Sequence, residues 1–178
     1  MDIAVLLLDL AVVLGTIVVL GTFAWGALRG APWLPTRRAD VGRIVALAGV
    51  KPGMVVADVG CGDGGVLAAL AVTGCRIRGW ELAIVPWLRA RWRFRHHADA
   101  RIRFGDFWYA NLSDCDLVYA FLLPNSHAKL AVKLARELRP GARVIAHVWP
   151  FPGWEPIAVD RADGRAPLYL YERKAVEA

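Results

Sequence analysis

The hydrophobic pattern changes character along the chain. From Ala11 to Leu28 there are 18 residues without a charge, interrupted only by Gly and Thr. As a helix this stretch spans about 27 Å, close to the hydrocarbon thickness of a bilayer. Ile3 to Leu8 extends the apolar run outward, with Asp9 breaking it. Arg29 to Arg38 is polar and punctuated by Gly30, Pro32 and Pro35, as a linker would be. After it the period shortens. Val41, Ile44, Val45 and Leu47/Ala48 share one side of a helix over 39–48, which Gly49 ends. Strand-length apolar runs then alternate with helical spacings. Strands are predicted at 54–57, 76–81, 101–104, 116–121 and 143–148, with helices at 65–72 and 126–138. Two last strands, about 156–161 and 166–172, flank an Asp163-Gly164 turn.

The stretch 84–97 carries conflicting signals. Arg89-Ala90-Arg91-Trp92-Arg93-Phe94-Arg95 alternates as a strand would. Parallel strands, however, require a crossover between them, and the right-handed connection rule supports a helix here. The prediction is a helix with arginines on two flanks, read either as a solvated face or as a contact for acidic lipid or substrate. The whole pattern predicts an α/β fold: a mostly parallel seven-stranded sheet with helices on both faces, preceded by one N-terminal transmembrane helix. Residues 1–28 form the anchor, 29–38 the linker and 39–178 the α/β domain.

Charge orients the anchor. Arg29, Arg37, Arg38 and Arg43 follow the apolar segment, whereas Asp2 precedes it, so the positive-inside rule places the domain in the cytoplasm of a single-pass protein. A cleaved signal peptide would carry a basic n-region and a shorter apolar core. A buried soluble helix is the other alternative. Trp25 and Trp33 sit where an interfacial aromatic belt is expected. The net charge of +6 over 178 residues permits nucleic acid, acidic lipid or acidic protein as partner without selecting among them. Cys61, Cys75 and Cys115 are odd in number and lack C-x-x-C spacing, which predicts reduced thiols and no metal site.

The chemistry concentrates in Asp58-Val59-Gly60-Cys61-Gly62-Asp63-Gly64-Gly65, between the first strand and its helix. Glycines let the backbone turn tightly and approach a ligand closely, and helix N-terminal amides beyond can bind an anionic group. Gly60, Gly62 and Gly65 satisfy the dinucleotide pattern G-x-G-x-x-G. Asp58, Gly60, Gly62 and Gly64 equally satisfy D-x-G-x-G-x-G, which resembles motif I of class I S-adenosylmethionine (SAM) methyltransferases. Glu81 ends the second strand 17 residues beyond Gly64, where an acid can accept from both ribose hydroxyls. Asp106 and Phe107 follow the third strand and suit an adenine, the carboxylate for its amino group and the ring for its face. A dehydrogenase leaves Asp106 unexplained and lacks a second domain for substrate.

A narrower resemblance covers most of the chain after residue 28. It rests on the anchor, Ala31-Pro32-Trp33-Leu34-Pro35-Thr36, motif I, Asn111-Leu112-Ser113-Asp114-Cys115-Asp116 leading to Phe121-Leu122-Leu123-Pro124, and Pro150 to Pro156 (PFPGWEP). These are similar to the lysine methyltransferases of the ATP synthase c-ring protein and the ADP/ATP carrier, with their prokaryotic relatives. The resemblance implies a membrane-anchored protein-lysine N-methyltransferase that uses SAM and acts on a membrane-embedded protein. By it, Asp58, Gly60, Cys61, Gly62 and Gly64 lie along the methionine part, Glu81 holds the ribose, and Asp106 with Phe107 holds the adenine. Pro35 and Thr36 then belong to a segment that closes over the cofactor. The acid-proline often found after the ribose carboxylate is here Leu82-Ala83, and little chain separates strands five and six.

Tyr119, Phe121, Leu122 and Pro124, at or after strand four, are expected to form the substrate mouth. The Asn/Asp-Pro-Pro-aromatic tetrad of enzymes that methylate nucleic-acid bases or glutamine is absent there, so no nucleic-acid partner is expected. His127 and His147 are read as structural, and Trp149 and Trp154 as acceptor wall or packing. Two alternatives stand beside the lysine reading: methylation of a lipid or small amphiphile, and SAM binding without turnover. Nothing in the sequence specifies an oligomer.

Overall fold

A computed structural model describes residues 2–30 and 32–175. Helix α1, Ile3–Arg29, begins where the Asp2 carboxylate accepts from the Ala4 N–H at 3.1 Å. It is longer than the uncharged stretch because Asp9 is tolerated on its solvent-facing surface. Every residue from 3 to 21 except Val19 is exposed. Helix α2, Arg38–Ala48, ends at Gly49 in the left-handed conformation that favours glycine.

The sheet follows in the predicted order: β1 Val55–Val59, α3 Gly65–Ala71, β2 Arg76–Glu81, α4 Ile84–Arg93, β3 Ala100–Phe104, β4 Leu117–Ala120, α5 Pro124–Glu137, β5 Arg143–His147, β6 Ala158–Asp160 and β7 Leu168–Glu172. The seven strands lie in the order β3-β2-β1-β4-β5-β7-β6, and β7 alone runs antiparallel to both its neighbours. The ambiguous arginine stretch is helical. Pro86, Ala90 and Phe94 turn inward on α4 at a spacing of four, which only a helix presents to one side. Helix α5 starts two residues earlier than its polar pattern suggests, since Pro124 suits the first turn where no amide donor is needed.

Helices cover both faces, so all five β1 residues are buried. One face packs Val118, Ala120 and Val144 beneath Leu130, Ala131 and Leu134 of α5. The other packs Val56, Ile77 and Tyr119 beneath Ile44 of α2, Leu67 and Leu70 of α3, and Ala90 of α4. Arg43 fastens α2 to the antiparallel edge, donating to Asp40 Oδ1 at 3.0 Å, to the Ala166 carbonyl at 3.0 Å and to the Asp160 carboxylate.

The strand order reverses between β1 and β4, which is where such sheets open a cleft at the carboxyl ends of their strands. In register, Asp58 lies beside Gly79 on one side and Tyr119 on the other. Gly79 is required by contact rather than by its backbone. A Cβ there would sit 2.8 Å from Cys61 Sγ, 2.9 Å from Ile102 Cδ1 and 3.1 Å from Leu67 Cδ1. Gly79→Ala is therefore expected to destabilise the fold by about 1–3 kcal/mol through overpacking. Denaturant unfolding of the full chain in detergent would measure it, and an unchanged midpoint would show that these three side chains yield freely.

Candidate active site

The turn after β1 is built to expose backbone. Gly60 N–H and Cys61 N–H both donate to the Trp80 carbonyl, at 3.0 and 2.9 Å, tying the turn to β2. Gly62 has φ +54°, and a Cβ on it would lie 2.7 Å from the indole Nε1 of Trp33. Gly64 has φ +76°, with Phe94 Cε2 at 2.9 Å from the same imagined atom. Neither position accepts a side chain. Cys61 points its sulfur inward against Gly79, so only its backbone faces the cleft, and burial pushes its thiol pKa well up.

Glu81 braces this turn. Its Oε2 accepts from Gly62 N–H at 2.8 Å and its Oε1 from Ala83 N–H at 2.7 Å. Burial raises its pKa, and the backbone donors oppose that rise. Two of the roughly four lone-pair positions of the carboxylate are thus used, leaving acceptor capacity toward the cleft. Asp58 is 3 % exposed, and no described residue donates a hydrogen bond to its carboxylate. Burial first, and the Glu81 charge second, raise its pKa well above the ordinary 3.8. A buried acid without a donor beside a second acid is costly unless a cationic group joins it.

These residues wall a cleft of about 590 Å³. Pro35, Thr36, Asp58, Gly60, Cys61, Gly62, Glu81, Phe107, Tyr119, Phe121 and Leu122 all line it, so most of the sequence-predicted site comes together. Gly64 lies behind the turn against Phe94, and Pro124 begins α5 outside the wall. Asp106 is also set back, and both its oxygens are engaged. Oδ1 accepts from Trp108 N–H at 3.0 Å, and Oδ2 accepts from Arg29 Nε at 2.7 Å.

Arg29 is one of two cleft residues that the sequence pattern did not assign to the site; Trp33 is the other. The last two turns of α1 dock across the cleft rim. Thr22 Oγ1 accepts from Ile84 N–H at 3.2 Å, the Arg29 carbonyl accepts from Trp108 Nε1 at 2.8 Å, and the Gly30 carbonyl accepts from Leu123 N–H at 3.1 Å. The segment then turns back so that Trp33 covers Gly62, edge-on to Phe23 at 6.2 Å. An arginine ending an apolar run is visible in the sequence; its partner 77 residues away is not.

The far wall is a polar relay set in aromatic surroundings. Thr36 Oγ1 lies 3.3 Å from the Tyr119 hydroxyl, which lies 2.8 Å from His147 Nδ1. His147 stacks on Phe121 at 4.4 Å, and burial holds its pKa down to about 4, so it is neutral at physiological pH. Burial raises the Tyr119 pKa, which keeps its hydroxyl protonated. His127 serves structure, placing Nε2 3.3 Å from the Leu122 carbonyl and its ring on Phe151. Val148 follows His147 with φ +74°, a conformation a β-branched residue adopts at a cost of about 1–2 kcal/mol. Its N–H donates to the Pro167 carbonyl at 2.9 Å, and the bend delivers Trp149 to the cleft. Trp154 instead packs on Phe151 and Tyr171.

The Arg29–Asp106 pair should therefore hold the rim closed. Arg29→Gln and Asp106→Asn are each expected to speed amide hydrogen exchange over residues 26–36 while leaving β1 and β4 protected. The double variant should exceed neither single by much, because the two act as one contact. Additive increases would show that the side chains work separately.

Known proteins match this geometry. The family model described as the ANTKMT methyltransferase domain matches residues 58–158. The human lysine N-methyltransferase of the ATP synthase c-ring protein is 36% identical over 146 residues, covering 79% of this chain and 61% of that protein. A protein-lysine N-methyltransferase of Saccharolobus islandicus (strain REY15A) is 32% identical over 148 residues, covering 79% and 92%. This chain thus spans about three-fifths of the human relative and nearly all of the archaeal one. Among solved structures, an RNA methyltransferase from Salinibacter ruber in complex with S-adenosyl-L-homocysteine superposes with a TM-score of 0.76 at 28% identity, covering 82% of this chain and 97% of that one. The seven-stranded sheet is the class I methyltransferase fold, and the chain belongs to the ANTKMT methyltransferase domain family.

Proposed function

We propose that this protein is a membrane-anchored, SAM-dependent protein-lysine N-methyltransferase whose acceptor is a lysine of a membrane protein. The observation that carries the proposal is the Asp58 carboxylate, buried and without a donor beside Glu81 and the exposed backbone of the glycine turn. The residues fit SAM on their own chemistry. Asp58 offers negative charge for a cationic amino-acid portion, Glu81 keeps free lone pairs for ribose hydroxyls, and Phe107 offers a ring for adenine. Asp106 would hold the adenine amino group only by sharing the oxygens that Arg29 and Trp108 already use. Bound SAM supplies an electrophilic methyl group.

The chain's own part is to position the acceptor and keep it deprotonated. Phe121, Leu122 and Trp149 exclude water at the mouth, and Arg29 and Arg38 line the same cleft. Desolvation and like charge both lower a lysine ammonium pKa, which favours the nucleophilic amine. The Tyr119 hydroxyl, fixed by Thr36 and His147, is the polar group placed to orient that amine. With its pKa near 4, His147 orients the hydroxyl and does not take the proton. Alignment of donor and acceptor supplies most of the acceleration.

Several features support the membrane setting. Helix α1 is long and apolar enough to cross a bilayer, and its apolar surface is uncovered. Arginines follow it, which favours a cytoplasmic domain. The human relative is named for the ATP synthase c-ring protein, and a mouse relative, 37% identical over 147 residues, for the adenine nucleotide translocase. An enzyme held at the bilayer meets membrane-embedded acceptors at raised effective concentration.

The full chain in nanodiscs, given radiolabelled SAM and membranes lacking this gene product, is expected to label a small membrane protein at lysine, read by mass spectrometry. Label in extracted lipid would point to a lipid acceptor, and SAM binding without transfer to a broad panel would point to a non-catalytic role. Asp58→Asn tests the cofactor site. Burial raises the folded-state pKa of Asp58, so the folded form retains a proton that the unfolded form has released. Its contribution to stability is therefore present below 3.8 and lost as pH rises toward the raised value. At pH 8 the ligand-free Asn variant should be more stable than the parent by about 1–3 kcal/mol, the gap closing toward pH 4. Calorimetry should show SAM binding weakened by roughly ten- to a hundredfold. Unchanged affinity would remove Asp58 from the site.

A further inference from the structure

We propose that the exposed face of α4 is a docking surface for anionic lipid headgroups, which seats the domain on the bilayer. The inference rests on α1 spanning the membrane. Between the buried Glu81 and Asp99 the chain has no acid, and α4 with its C-cap region carries Arg89, Arg91, Arg93 and Arg95. Arg93 is committed to the glycine turn, donating to the Asp63 carbonyl at 2.9 Å and to Asp63 Oδ2 at 2.8 Å. Arg89, Arg91 and Arg95 form no ion pair among the described residues. They lie instead over indole rings: Arg95 3.9 Å from the Trp92 ring centroid, Arg91 5.5 Å from that of Trp87, and Arg89 6.0 Å from that of Trp33.

A purely solvated helix face would pair charge with charge and keep large apolar groups covered. This one leaves Leu88 52% and Trp92 68% exposed among the unpaired arginines. Indole bodies with guanidinium heads above them suit the boundary between acyl chains and headgroups, where aromatic rings settle and long cationic side chains reach for phosphate.

Position favours lipid over another polyanion. Helix α4 starts where α1 meets the domain. Ile84 N–H donates to Thr22 Oγ1, and Leu82 Cβ lies 3.7 Å from where a Gly26 Cβ would be. Residues 3–21, which precede this contact, span about 28 Å as helix, close to the hydrocarbon thickness of about 30 Å. Thr22 is then at headgroup level, and α4 begins beside it. No residue of α4 is more than about 14 Å along the helix from Ile84. The cationic face is thus continuous with the span itself, and a negative leaflet complements it.

Leu88→Cys can carry an environment-sensitive NBD label, since Cys61, Cys75 and Cys115 are buried. The labelled full chain is reconstituted in nanodiscs of phosphatidylcholine, alone or mixed with phosphatidylglycerol. Co-elution with the discs and a blue shift of NBD emission in the mixed lipid are expected. Arg89, Arg91 and Arg95 all replaced by Gln should abolish the shift. A label at Val132→Cys, 69% exposed on α5 across the sheet, should not respond. Protein recovered free of discs would overturn the membrane reading of α1, and with it this inference. Co-elution with a water-exposed label in both lipids would overturn the docking face alone. A shift produced by added RNA in neutral discs, and not by phosphatidylglycerol, would reassign the face to nucleic acid.

Discussion

Two backbone N–H groups, from Gly62 and Ala83, converge on the Glu81 carboxylate at 2.8 and 2.7 Å. This clamp joins the turn after β1 to the end of β2, and the remaining site geometry depends on it. It fixes the left-handed glycines in place, which lets Trp33 close on Gly62 and Phe94 on Gly64. It also fixes a negative charge near Asp58, so the neighbouring carboxylate is held at a cost in the absence of a cationic partner. Local stability has been exchanged for recognition, as sites commonly require. The left-handed Val148 that delivers Trp149 makes the same exchange on the opposite wall.

Helix α1 and the methyltransferase domain are not separable modules. Residues 22–30 supply part of the cleft rim, through Phe23, Gly26, Arg29 and Gly30. The contacts of Arg29 and of the Thr22 hydroxyl run directly from the helix to the loops after β2 and β3. With α1 in a bilayer, its tie to Asp106 sets where the cleft mouth stands relative to the membrane surface. Anchoring and active-site closure then share the same few hydrogen bonds, so a change at the rim is felt in both.

The polar relay Thr36–Tyr119–His147 joins three segments distant in sequence: the strap before α2, the end of β4 and the end of β5. Burial keeps its members neutral, and an apolar mouth surrounds it. Such a wall orients an amine without competing for its proton, which matches a reaction whose acceptor must arrive uncharged.

Much of this was legible in the sequence because its causes are local. The order of strands and helices follows from period and from turn residues, and the cofactor chemistry follows from D-x-G-x-G-x-G with acids after the next two strands. Even the arginine-rich α4 was resolved by a topological rule, since parallel strands cannot connect without a crossover. The tertiary structure alone decided which of these residues face one another. It set Asp106 back against Arg29, seated Trp33 on Gly62, turned Cys61 inward and left Asp58 without a donor. These outcomes depend on contacts between residues tens of positions apart, made only once the sheet has brought its strand ends together. Sequence alone determined the elements and the chemical groups each one carries, because periodicity and turn propensity act over a few residues. Which groups meet, and at what distance from water, was decided by packing, because burial and long-range hydrogen bonds exist only in the folded chain.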